Sequence, residues 1–275
     1  MSSGGFAAAT AVDTTQNNSD ETALFTAEIF PGWDIMGNAN GGYLMGLLGR
    51  AALAHTGRPD VVSMSANFLA PGKAGPIDIA VEEVRLGRRF ATVRSTFFPA
   101  GSPKASVTST IICGDITAHD GPTMVTVQPP SIPEPADCTR SEPTETFPPP
   151  FVGKIDLRMH PDDGPAFAAK SAPQGEARFR GWFRLPESEP MDSLAVVLAG
   201  DSLPPPVFNT NLNVGWSPTV QLTVHVHRRP VTPWLLVDQR SDIIDGGAFE
   251  TITSIFDQNG DVVGRARQLQ LLALA

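Results

Sequence analysis

Apolar and polar residues alternate with regular periods in two stretches of the chain, roughly 23–114 and 176–275, and lose that regularity between them. In the first stretch Leu44, Leu47, Leu48 and Ala51 recur at helical spacing, with Asn40 placed to cap the start and Gly57 to stop the end. The segment GGYLMGLLGRAALAHTG is apolar on most sides, which predicts a helix enclosed by a sheet. After it, VVSMSANFLAPG, IDIAVEEVR, FATVRSTFF and ASVTSTIIC read as strands, with PGKAGP, LGRR and PAGSPK as the turns between them. The expectation is one helix followed by an antiparallel meander.

The second stretch repeats the theme. LTVHVHRRP, WLLVDQRSDII, FETITSIFD and VVGRARQLQLL read as strands, and Asp257-Gln258-Asn259-Gly260 as a hairpin turn. A fixed offset of 159 lays Pro71 on Pro230, Gly87 on Gly246, Phe90 on Phe249, Phe97 on Phe256 and Gly101 on Gly260 without a gap, which argues for an internal duplication. The helix does not obey that offset, because it would then cover Pro204, Pro205 and Pro206, and consecutive prolines cannot occupy a helix interior. An offset of 151 lays LLGR on LAGD instead, giving a helix from Asp192, as cap, to about Ser202, halted by the prolines. A longer loop, VFNTNLNVGWSP, then follows.

Between the two stretches, residues 115–175 hold Pro122, Pro129, Pro130, Pro133, Pro135 and the run Pro148–Pro150, which forbids regular helix or central strand and predicts a linker. Residues 1–22 are small and polar and predict a flexible tail. The expected organisation is therefore a tail over 1–22, an N-terminal domain over 23–114, a Pro-rich linker over 115–175 and a C-terminal domain over 176–275.

Composition narrows the function classes. A formal net charge of -9 argues against nucleic acid as a partner, although a few local arginines could still bind a phosphate. The only two cysteines, Cys113 and Cys138, form no CxxC pair and read as free thiols. The N-terminus lacks the basic start and apolar core of a signal peptide, and no apolar run reaches the ~18 residues of a membrane span, so a cytoplasmic protein with no membrane partner is expected.

Several motifs together resemble those of the acyl-CoA thioesterase II (TesB-like) family: NGGYLMGLL opening the first helix, NFLAPG after the first strand, LAGD in the second helix, PT followed eight residues later by HR, and VGRARQ in the last strand. The resemblance implies an α+β, double hotdog fold, in which two copies of a long central helix are each wrapped by a curled antiparallel β-sheet and joined by the Pro-rich linker. It implies acyl-CoA as substrate, no cofactor or metal, and association as a homodimer. By motif, the family's water-holding Asp, Thr and Gln fall on Asp201, Thr219 and Gln268. The first half has Arg50 and Ser109 at the equivalent positions, so the resemblance implies one site per chain.

Those residue types suit hydrolysis of a thioester. An Asp side chain, which in water titrates at about 3.9, is ionised at neutral pH and can accept a proton from water. A Thr hydroxyl and a Gln amide each donate and accept, so they can fix the water's remaining groups. Gly41 and Gly42 at the first helix start would expose backbone N–H groups to the developing oxyanion.

Competing readings come from the same residues. Gly200-Asp201-Ser202-Leu203 spells the GDSL esterase signature, but no DxxH follows it. Hydratases of the hotdog class pair an Asp with a His about five residues on, and neither Asp34 nor Asp201 has one. His225 and His227 share a strand face without an evident third ligand. A non-catalytic acyl-CoA binder is the alternative from a different class. In the bland reading Asp201 is a solvated helix-end residue, Thr219 begins a strand, and Gln268, alternating with Ala266 and Gln270, faces solvent. Trp33, Trp182, Trp216 and Trp234 could line an acyl tunnel or fill the core.

Overall fold

The structure is a computed structural model that describes residues 4–19, 22–118, 121–145, 147–164, 175–186 and 189–274. Its framework is one antiparallel sheet of thirteen strands: β1 (Asp13–Ser19), β2 (Thr22–Ile29), β3 (Asp60–Phe68), β4 (Gly75–Leu86), β5 (Phe90–Pro99), β6 (Val107–Gly114), β7 (Thr139–Arg140), β8 (Asp156–Met159), β9 (Arg178–Arg184), β10 (Thr219–Val226), β11 (Leu235–Asp245), β12 (Ala248–Asp257) and β13 (Val262–Leu271). The order across the sheet is β1-β2-β4-β5-β6-β3-β10-β13-β12-β11-β9-β8-β7. The meander expected in each half holds for β4-β5-β6 and β11-β12-β13. The first strand after each helix does not join it at the near end but crosses to the far edge, beside β6 and β13.

That crossing brings β3 and β10 together at the centre, where Asn67 pairs with Gln221 and Ser63 with His225. Ser65 Oγ and Thr223 Oγ1 lie 2.8 Å apart across the seam. The two halves are thus fused through a shared ladder, and the linker does not have to hold them together.

Two longer helices cover the seam side by side. In α2 (Gly41–Thr56) Asn40 Oδ1 accepts from the Tyr43 N–H at 2.9 Å, and Gly57 ends the helix at φ 64°, donating to the Leu53 carbonyl. The second helix, α3 (Ser193–Ala199), is shorter than the expected 192–202 and is capped by Asp192, whose Oδ1 accepts from Leu194 and Ala195. Every α3 residue is buried, which is why its sequence SLAVVLA carries no polar stripe. A Cβ on Gly42 would come within 3.1 Å of Leu198 Cα, and one on Gly49 within 2.6 Å of Leu194 Cδ2, so two glycines seven residues apart let the helices approach.

Three sequence expectations change here. The N-terminal tail belongs to the fold: α1 (Phe6–Ala9) buries Phe6 and Ala9, the Ala9 carbonyl accepts from Tyr43 Oη at 2.9 Å, and β1 pairs with β2. One apolar ring and one buried hydroxyl outweigh the tail's small polar composition. The Pro-rich segment supplies β7 and β8 at the sheet edge, where proline is tolerated, and buries Phe151, Val152 and Ile155. The fixed 159 offset holds only in part: Gly101 and Gly260 both take positive φ and Phe97 and Phe256 are both buried, but Gly246 takes positive φ where Gly87 does not, and Phe249 is buried where Phe90 is partly exposed. Cys113 and Cys138 are free and buried.

Candidate active site

The end of α3 meets the start of α2, and Asp201 stands at that junction. Its Oδ2 accepts from the Gly42 N–H at 2.9 Å and from Asn40 Nδ2 at 3.0 Å; its Oδ1 accepts from Gln268 Nε2 at 2.5 Å. Asn40 Nδ2 also donates to the Asp201 carbonyl at 2.9 Å, while its Oδ1 caps α2. Gln268 Nε2 lies 3.5 Å from Thr219 Oγ1. The three residues singled out from the sequence therefore converge, although they come from a helix end and two strands separated by up to 67 positions.

Burial pushes the Asp201 carboxyl up to about 6, and the donors on Gly42, Gln268, Gly41 and Asn40 oppose that rise. A helix start holds anions through its free N–H groups and its positive dipole end. Here the anion is the protein's own carboxylate. Gly41 and Gly42, expected to face an oxyanion, turn their backbone toward Asp201, and the Gly42 N–H is occupied by it. A Cβ on Gly41 would sit 2.9 Å from Asp201 Oδ2, so glycine is required for the carboxylate to come this close.

Asp201, Thr219 and Gln268 border a cavity of about 690 Å³. Phe68, Leu44 and Ala39 from the first half form one wall; Phe208, Trp216 and Leu203 from the second form another. Phe147, Phe151 and Val152 of the Pro-rich segment complete it. The lining is mainly apolar, with a polar corner at Asp201, Thr219 and Gln268 and further polar residues such as Gln239 elsewhere, the pattern of a site for a largely hydrophobic ligand.

Comparison with known proteins gives the family. The family model of the acyl-CoA thioesterase N-terminal domain matches residues 30–114, and that of the C-terminal domain matches residues 134–272. The chain belongs to the acyl-CoA thioesterase family. It is a thioester hydrolase. Among solved structures, the thioesterase is similar to a candidate thioesterase II from Thermobifida fusca YX, with 29% identity, coverage of 98% of this chain and 97% of that one, and a TM-score of 0.84. A conserved protein of unknown function with hot dog fold from Alicyclobacillus acidocaldarius superposes with a TM-score of 0.83 at 23% identity over 98% of each chain. The acyl-CoA thioesterase II TesB2 from Mycobacterium marinum gives 0.67 at 21% identity over 96% of each. These two show the hot dog fold. No curated protein matches the thioesterase in sequence. The C-terminal domain match begins inside the Pro-rich segment, in keeping with the strands found there.

Asn40 is the site residue that sequence reasoning missed in part, since it was read only as a cap. The motif Asn40-Gly41-Gly42 carried the signal: a side chain with both a donor and an acceptor, beside two residues that admit close approach. The bland reading of Gln268 does not hold, because Ala266, Gln268 and Gln270 form the buried face of β13. Ser202 Oγ donates to the Ala199 carbonyl at 2.9 Å, and no histidine lines the cavity among the described residues. A serine nucleophile would lack its base.

The remaining candidates lie elsewhere. His225 and His227 are exposed, and among the described residues no group of three or more potential metal ligands forms. Arg229 is engaged by Asp60, and Arg228 by Asp261 at 3.1 Å. Of the tryptophans only Trp216 lines the cavity; Trp33 stacks on Tyr43 at 4.9 Å in the core, and Trp182 and Trp234 pack in a second cluster. In the first half, Arg50 faces Asp192 at 3.8 Å and Thr10 Oγ1 at 3.4 Å, a cation where the second half has Asp201. Among the described residues no helix is long and apolar enough to cross a membrane.

Proposed function

We propose that the protein hydrolyses acyl-CoA to the free acid and CoA, with Asp201 as general base and Thr219 and Gln268 holding the attacking water. The observation that carries this reading is a carboxylate with its pKa near 6, fixed by donors from both halves at the polar corner of an apolar cavity. A base poised near the operating pH is the most effective proton acceptor. The two halves are read as a double hotdog, fused at the β3–β10 seam.

In this mechanism the acyl chain enters the cavity and the thioester carbonyl sits beside Asp201. Water attacks the carbonyl carbon and passes its proton to Asp201, which becomes neutral as the oxyanion forms. Negative charge thereby moves from the carboxylate to the substrate, and the Gly42 and Gly41 N–H groups can follow it, retaining the oxyanion role given to them by the motif. Collapse of the tetrahedral intermediate breaks the C–S bond, and the proton on Asp201 goes to the CoA thiolate. No covalent enzyme intermediate is needed.

A panel of acyl-CoAs assayed by release of free thiol tests the reading. Thiol release is expected with at least one chain length; saturable binding of the whole panel without release would replace the enzyme by a carrier. Gly42→Val is expected to lower kcat by tenfold or more, since its Cβ would press on Leu198 Cα and Asp201 Cβ, both 3.1 Å away. Unchanged turnover in that variant would remove Gly42 from the mechanism.

A further inference from the structure

The cavity carries an unexplained polar group away from its catalytic corner. Gln239, on β11, borders the cavity and is 1% exposed. Its Nε2 donates to the Pro204 carbonyl at 3.0 Å, which fixes the orientation of the amide, because a carbonyl oxygen can accept only from the nitrogen end. The Oε1 is left buried without a hydrogen-bond partner. Across the ladder Gln239 pairs with Thr253, whose hydroxyl is likewise buried and unpartnered, so the two do not satisfy each other. Buried polar atoms are nearly always paired, and a site wall that leaves an acceptor unpaired is suited to a ligand bringing a donor.

We propose that Gln239 Oε1 receives a hydroxyl on the acyl group, so that the preferred substrates are acyl-CoAs hydroxylated well away from the thioester. The position along the chain follows from the sheet register. Gln239 lies level with Thr253 and Ala266, and Gln268 lies two residues further along, level with Thr251. Two strand spacings of about 4.8 Å and two residues of about 3.4 Å place the Gln239 and Gln268 backbones about 12 Å apart. A hydroxyl next to the thioester falls short of Gln239; one several carbons further on reaches it. A purely structural role, tethering the Pro204–Pro206 run, accounts for Nε2 and leaves Oε1 unexplained.

The inference rests on the thioester lying beside Asp201 and Gln268, and the test separates the two ideas. Values of kcat/KM are measured by thiol release for dodecanoyl-CoA and its 3-, 8- and 12-hydroxy derivatives, with wild type and Gln239→Met. Wild type is expected to favour the 8- or 12-hydroxy substrate over dodecanoyl-CoA by about tenfold or more, with the 3-hydroxy compound showing no such gain. In Gln239→Met that ratio is expected to fall close to one. Absence of a remote-hydroxyl preference in wild type overturns the inference, whether or not the variant folds, and leaves the hydrolase reading intact. An equal loss on all four substrates in Gln239→Met also overturns it and makes Gln239 a tether. No thiol release from any of them removes both.

Discussion

Asp201→Asn is expected to lower kcat/KM for thioester hydrolysis by on the order of 10²- to 10⁴-fold, the range lost with a general base, while Ser202→Ala stays within a few-fold of wild type. In wild type, log kcat/KM should rise with pH through a midpoint near 6 and then level, because only the ionised Asp201 can take the proton from water. Stability should move the other way. The folded pKa of about 6 lies above the ordinary 3.8, so between those values the folded state binds more protons than the unfolded one. Asp201 therefore favours folding below pH 4, and that contribution is lost as pH rises through 6. A shift of about two units corresponds to roughly 3 kcal/mol at neutral pH, an upper bound on what the Asn variant regains, since its amide cannot accept from every donor now facing the carboxylate. Chemical denaturation at pH 7.5 should show the variant at least as stable as wild type. Retention of activity within tenfold, or a collapse of the fold, would defeat the assignment.

Arg229→Ala should destabilise the protein by about 3 kcal/mol without altering turnover by the folded fraction. Asp60, at the start of β3, is 1% exposed and accepts from Arg229 Nε at 2.7 Å and Nη2 at 2.9 Å, with the Ile116 N–H at 3.2 Å on the same carboxylate. Arg229 follows β10, so the pair fastens the end of the seam between the halves. Removing the guanidinium strands a buried carboxylate, which costs about 3–5 kcal/mol where both partners are buried; the 43% exposure of the Arg229 side chain lets water offset part of it. Asp60→Ala in the Arg229→Ala background should recover stability relative to the single variant, and urea titration of the four proteins measures the coupling. Additive losses would show that the pair contributes nothing beyond its separate parts.

What could be read from the sequence was whatever local pattern determines. Alternation found eight strands, and the cap at Asn40 and stop at Gly57 bounded α2 almost to the residue. The strand DTTQNNS was invisible because it has no apolar face and is held by pairing with β2 alone. β8 was hidden by the prolines around it, and it exists because the sheet edge lies open beside β9. At the site, motif resemblance located Asp201, Thr219 and Gln268, but not that Asn40 would meet Asp201 across 161 positions. That contact depends on how closely two helices pack, which periodicity does not report. Nor could alternation decide which face of β13 is inside, since Ala266, Gln268 and Gln270 are too polar as a set to mark a core.

Because the carboxylate comes from one half and Asn40 and Gly42, which hold its Oδ2, from the other, with Gln268 of its own half on Oδ1, the two halves are not interchangeable. The sequence offset sets Arg50 against the acid, and Asn40 serves a residue of the other half. Drift in the start of α2 is therefore constrained by the end of α3, and the reverse. A chain with two copies of the second half would keep Asp201 and Gln268 but lose the Asn40 and Gly42 donors, and one with two copies of the first would lose the acid. Neither half alone therefore supplies the whole set of groups around the acid.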